Sequence, residues 1–140
     1  MLSKLSNRQI WLRGVVGALI AAAINLGVAL VAARLVDASP EFLALTPGPV
    51  VSVTVVTVLI GTAVYAVLNR LVARPTLVFS IIATVIALAS LAAPIALSGD
   101  TSGTMAGVTP VAAPVLIPLH LIPEAVIVAA FAWRSRKVSA

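Results

Sequence analysis

The chain has 140 residues, 61% of them hydrophobic and 9% charged, with a formal net charge of +5. Its mean hydropathy of +1.20 implies more apolar surface than a domain of this size can hide from water, so a soluble globular fold is excluded and lipid is the expected solvent. Cysteine is absent, which removes disulfides, thiolate metal sites, sulfur-linked lipids and cysteine nucleophiles from consideration.

In chain order, Lys4, Arg8 and Arg13 lead into a first apolar run over residues 14–36. That run is too long for the core of a secretory signal and has no convincing cleavage site, so it reads as an uncleaved membrane anchor. Along it Gly17, Ala21, Asn25, Ala29 and Ala33 recur four apart, a row that lets another helix approach closely, with Asn25 able to hydrogen-bond across the contact. Ser39-Pro40-Glu41 resembles a cap with proline at the first helical position, so a short interfacial turn is expected over Pro40 to Leu45. Thr46-Pro47-Gly48-Pro49 then turns the chain into a second run over residues 50–68. Its valine- and threonine-rich start would suit a strand in water, but its length and lack of alternation favour a helix, because lipid forces backbone groups to pair within the segment. Thr57, Gly61 and Tyr65 form a second row at the same spacing.

A third run, residues 76–97, follows Arg74-Pro75 after a short link that makes helices 2 and 3 antiparallel neighbours. It carries Ser80 and Thr84 on one face, and Pro94 leaves the Ser90 carbonyl without its helical donor. A polar stretch from Ser98 to Thr104 and the pair Thr109-Pro110 precede the fourth run, residues 111–133. Each run is about 20 residues, enough at 1.5 Å per residue to cross a hydrocarbon core of roughly 30 Å. The expected fold is therefore all-α: a single transmembrane domain over residues 1–140, with four helices in an antiparallel bundle.

Eight of the nine cations fall on one side: Lys4, Arg8 and Arg13, then Arg70 and Arg74, then Arg134, Arg136 and Lys137. The opposite loops hold Arg34 with Asp37, Glu41 and Asp100. The positive-inside rule places both termini in the cytoplasm, with Trp11 and Trp133 as interfacial anchors on that face.

The chemistry concentrates in the fourth run. His120 and Glu124 lie four apart near its centre, so they share a helix face and are expected to form a hydrogen-bonded pair. A charged side chain at that depth costs roughly 2.5 kcal/mol or more by insertion scales, which makes the pair a candidate functional site. Segment midpoints put Asn25, Thr57 and Thr84 within about two turns of the same depth. The result would be a mid-membrane polar layer serving either proton handling or helix packing. Pro114, Pro118 and Pro123 are expected to free the carbonyls of Pro110, Pro114 and Leu119 and to bend helix 4 at the polar pair. With one histidine and no cysteine, no metal site, haem or other cofactor is expected. Nucleotide loops, hydrolase-type carboxylate pairs and nucleic-acid motifs are missing as well.

Several short motifs carry a resemblance: Arg8-Gln9-Ile10-Trp11-Leu12 before an alanine-rich first helix with Asn25, Arg74-Pro75 leading to Phe79, Pro94 ending helix 3, and Leu119-His120-Leu121-Ile122-Pro123. In these the chain resembles small bacterial four-helix integral membrane proteins of unknown function. The resemblance implies a bacterial inner-membrane location and no established activity, and transfers no catalytic residue. The leading expectation is a non-enzymatic scaffold or accessory subunit, self-associated or docked on other membrane subunits. The alternative is a small proton-coupled carrier or channel using His120 and Glu124.

Overall fold

The computed structural model describes residues 4–99 and 105–133. Arg134, Arg136, Lys137 and Asp100, used above for topology, lie outside the described residues. The helices are α1 (Asn7–Leu35), α2 (Pro47–Leu71), α3 (Pro75–Ser90), α4 (Ala92–Ser98) and α5 (Leu116–Ala132), with single 3-10 turns at Leu43–Leu45 and Ala113–Val115. There are four spans long and apolar enough to cross a membrane: Asn7–Leu35, Pro47–Leu71, Pro75–Ser98 and Ala113–Ala132. No strand occurs among the described residues.

Local chemistry explains where the elements differ from the apolar windows. α1 starts at Asn7, a full two turns before residue 14, because Ser6 and Gln9 form a reciprocal capping box: Ser6 Oγ accepts from the Gln9 amide at 3.3 Å and Gln9 Oε1 from the Ser6 amide at 3.2 Å. Hydropathy marks the membrane, whereas the cap marks the helix. α1 closes on Asp37, whose φ of 46° lets the Ala38 amide reach back to the Ala33 carbonyl at 2.8 Å. The expected turn after Ser39 is present, with its single 3-10 turn over Leu43–Leu45. Prolines at the first helical positions start α2 and α3. The third span is not one helix but two: α3 ends at Ser90 and α4 resumes at Ala92, because Pro94 has no N–H for the Ser90 carbonyl and its ring crowds it. In the fourth span Val111 and Ala112 are turn residues, and regular helix begins at Leu116.

α1 packs on α2 and α5, α3 packs on the same two helices, and α2 touches α5 across the bundle. The spans thus close a ring in chain order. Contacts tie the start of α1, the end of α2 and the end of α5 together: Asn69 Nδ2 donates to the Leu5 carbonyl at 2.9 Å, and Arg13 Nη1 to the Ala130 carbonyl at 2.9 Å. We call this the terminal end and the opposite one the loop end. Arg13 here meets the partial negative charge of a helix C-terminus.

Two apolar clusters fill the interior. The terminal-end cluster includes Ile10, Val58 and Ile127 with three aromatic rings, Tyr65 stacked on Phe131 at 3.9 Å and Phe79 edge-on to both at 5.4 and 5.7 Å. The loop-end cluster gathers Ala29, Phe42, Leu45, Val50, Ala112 and Leu116. It is closed by Gly107, whose φ of +69° and proximity to the Phe42 amide leave no room for a side chain. The small-residue row of α1 is an internal seam, with Gly17, Ala21, Asn25 and Ala29 all buried. Large residues such as Leu19, Val31, Ile60 and Leu88 are exposed on the outside, as expected where lipid is the solvent. Trp11 and Trp133 are both exposed at the terminal end.

Candidate functional site

Between the two clusters lies the polar layer. Asn25, 1% exposed, comes from the α1 seam. Its Nδ2 donates to Thr54 Oγ1 on α2 at 2.8 Å and to the Leu119 carbonyl on α5 at 3.0 Å. The second acceptor is the carbonyl that Pro123 deprives of its helical donor, so an α1 side chain replaces the missing backbone N–H. A carbonyl only accepts, which fixes the amide orientation and leaves Asn25 Oδ1 buried without a partner.

The expected His120–Glu124 pair does not form. His120 Nδ1 bonds the Leu116 carbonyl one turn back at 2.7 Å, and Glu124 Oε2 is buried without a hydrogen-bond partner. The ring bonds back along its own helix through Nδ1. Three further expectations are corrected. Thr84 is exposed on the outer face of α3 and belongs to no polar layer. Thr57 is half-buried and lines the site, but Asn25 bonds Thr54 instead. Of the three prolines only Pro123 is inside the helix: Pro114 lies in the 3-10 turn and Pro118 in the first turn of α5, where amide donors have no helical partner in any case.

Two cavities meet here. The larger, about 510 Å³, has polar walls from Asn25, Thr54, Thr57, Ser90, His120 and Glu124, and apolar walls that include Val50, Val53, Ile86 and Leu116. It extends to Ala44 and Met105 at the loop end. The smaller, about 160 Å³, lies among α2, α3 and α5, between Thr57 and Gly61 on one side and Phe79 and Ile127 on another. Thr57, Ile86, Pro123 and Glu124 border both. Towards the terminal end, Phe79 joins the smaller cavity to the ring cluster with Tyr65 and Phe131.

Sequence reasoning missed Thr54 and Ser90 in this site, and Thr62 and Asn69 in the α1–α2 interface. The signal was present: Thr54, Val58, Thr62, Tyr65 and Asn69 recur at helical spacing along α2 and form its buried face. Among the described residues no three His, Asp or Glu side chains cluster as a metal site would need.

These features define a small multi-pass membrane protein with four spans and an intramembrane, partly polar cavity. The chain belongs to the Family of unknown function (DUF6069), whose model matches residues 5–137. No curated protein and no solved structure matches it.

Proposed function

We propose that this protein is a small, non-enzymatic carrier of a bacterial cytoplasmic membrane, with both termini on the cytoplasmic side and Glu124 as the group that handles solute and proton. The supporting observation is that Glu124 borders both cavities at mid-span. One cavity reaches the loop end, and the other ends against the Phe79 ring. A carboxyl at that neck, with His120 one turn away and no ion pair of its own, is placed to exchange a proton or a ligand between two compartments. The orientation rests on Lys4, Arg8, Arg13, Arg70 and Arg74 at the terminal end and on the sequence positions of Arg134, Arg136 and Lys137 after the fourth span.

The test is pH-gradient-driven flux in proteoliposomes. Glu124→Gln is expected to yield a folded, monodisperse protein whose flux is lost, and unchanged flux from that variant would overturn the reading.

A second reading, the scaffold or accessory subunit, is favoured by the third span, which is the least buried of the four within the chain. That span is the face another helix would cover, from a second copy or a different subunit. Native mass spectrometry after gentle extraction decides it: fixed stoichiometry with another polypeptide supports the accessory role, and a lone monomer refutes it.

A further inference from the structure

The open hydrogen-bonding positions around the larger cavity are nearly all of one kind. Asn25 Oδ1 is buried and unpartnered behind the wall, its amide nitrogen being committed to Thr54 and to the Leu119 carbonyl. His120 donates from Nδ1 to the Leu116 carbonyl, so that with the ring uncharged Nε2 is an acceptor. Glu124 adds a carboxylate oxygen without a partner. The Ser90 hydroxyl already donates to the Ala87 carbonyl at 2.7 Å, so it too can only accept. The hydrogens left to the wall are those of the Thr54 and Thr57 hydroxyls.

Charge points the same way. The elements facing Glu124 offer Asn25 from α1, Thr54 and Thr57 from α2, and Ser90 at the end of α3, none of them titratable. His120 on its own helix is the sole ionisable neighbour in the cavity. Arg13 is committed to Ala130 and Lys4 to the Arg70 carbonyl, both at the terminal end. A buried carboxylate is costly unless a positive charge with hydrogen-bond donors meets it, and among the described residues no Lys or Arg lines this cavity.

Size and access narrow the class further. At roughly 30 Å³ per water-sized group, a cavity of 510 Å³ has room for on the order of 15 non-hydrogen atoms. A bare metal ion would leave the valine, isoleucine and leucine walls uncovered. Val53 and Ile86 line the cavity and are also 64% and 55% exposed on the lipid-facing surface, so the space opens between the second and third spans within the bilayer. We infer that the larger cavity binds a lipophilic amine: an apolar body of ten to fifteen atoms, in order of magnitude, entering from the membrane, with a protonated primary or secondary ammonium that donates to the Glu124 carboxyl and to His120 Nε2. This rests on the carrier reading of the same site and names its solute class.

Isothermal titration calorimetry on the full chain in detergent tests it with three probes of one shape: 4-phenylbutylamine, its trimethylammonium counterpart, and 4-phenylbutanol. The first has charge and donors, the second charge alone, the third a single neutral donor. The amine is expected to bind at least about tenfold tighter than either, a preference worth about 1.4 kcal/mol, and Glu124→Gln is expected to abolish that preference while the variant still elutes as a folded protein. Equal affinity for all three probes, no binding at all, or an amine preference that survives Glu124→Gln would each overturn the inference. The two proposals fail separately. Amine binding without flux in proteoliposomes refutes the carrier and leaves the ligand class standing. Glu124-dependent proton flux without amine binding does the reverse.

Discussion

Asn25 repairs the helix that Pro123 breaks, and this makes a quantitative prediction about their coupling. Asn25→Leu keeps the side-chain volume while removing both hydrogen bonds, to Thr54 Oγ1 and to the Leu119 carbonyl. Losing the contact with Thr54 costs about 0.6 kcal/mol, the mean for hydrogen bonds between membrane helices. Losing the contact with Leu119 costs more, because that carbonyl then has no donor in a buried site, a penalty of about 1–3 kcal/mol. The expected sum is about 1.6–3.6 kcal/mol. In a Pro123→Ala background the Ala amide supplies the standard helical donor to Leu119, so Asn25→Leu should there cost only about 0.6 kcal/mol. The double-mutant cycle therefore predicts a coupling energy of at least about 1 kcal/mol. Reversible unfolding by SDS in mixed micelles, followed by circular dichroism and by the two tryptophans, measures it. If the two losses add to within about 0.5 kcal/mol, Asn25 is not acting as the substitute donor and the account of the polar layer fails.

Gly14→Ala should destabilise the bundle by about 1–3 kcal/mol through overpacking, because an added Cβ would lie 2.8 Å from Thr62 Cβ across the α1–α2 contact; Gly27→Ala, with nothing within 4 Å, should be neutral or slightly stabilising in the same unfolding assay. Gly107→Ala should cost more than about 1 kcal/mol, since its φ is +69° and the new Cβ would sit 2.6 Å from the Phe42 amide nitrogen, and limited proteolysis should then cut the loop-end segments faster than in the parent.

The fold was legible because lipid simplifies the problem: a long apolar run must be a helix, and four such runs must form a bundle. The row from Gly17 to Ala29 was legible as a seam for the same reason, since small residues at helical spacing serve close packing. What hydropathy could not see was hydrogen-bond competition. The capping box at Ser6 and Gln9 sits outside the apolar window, and so α1 begins earlier than composition suggests. At the site, spacing placed His120 and Glu124 together on the cavity wall but could not rank the partners open to the ring, whose Nδ1 bonds the Leu116 carbonyl. Depth alone likewise put Thr84 with Asn25, whereas rotation about the α3 axis turns it outwards. The freed Leu119 carbonyl was legible from Pro123 by itself; its donor was not, because that pairing spans 94 residues.

The placement of the helix breakers accounts for the placement of the chemistry. Past the first helical positions, where Pro47, Pro49 and Pro75 start α2 and α3, the prolines within spans are Pro94, Pro114 and Pro118 in the loop-end halves and Pro123 near the middle. The terminal-end half instead holds the Gly14–Thr62 contact and the Tyr65–Phe79–Phe131 rings, where helices pack closely and the interior is filled. An interrupted helix packs less regularly on its neighbours, and the 510 Å³ cavity lies in that interrupted half. Glu124 is the last polar side chain of α5 before this changes: one turn further on, Ile127 is packed into the filled cluster. A carboxyl at position 127 would have no space beside it and no acceptor-rich wall to share a ligand. At position 124 it borders both cavities while the Asn25–Leu119 bond holds the helix that carries it.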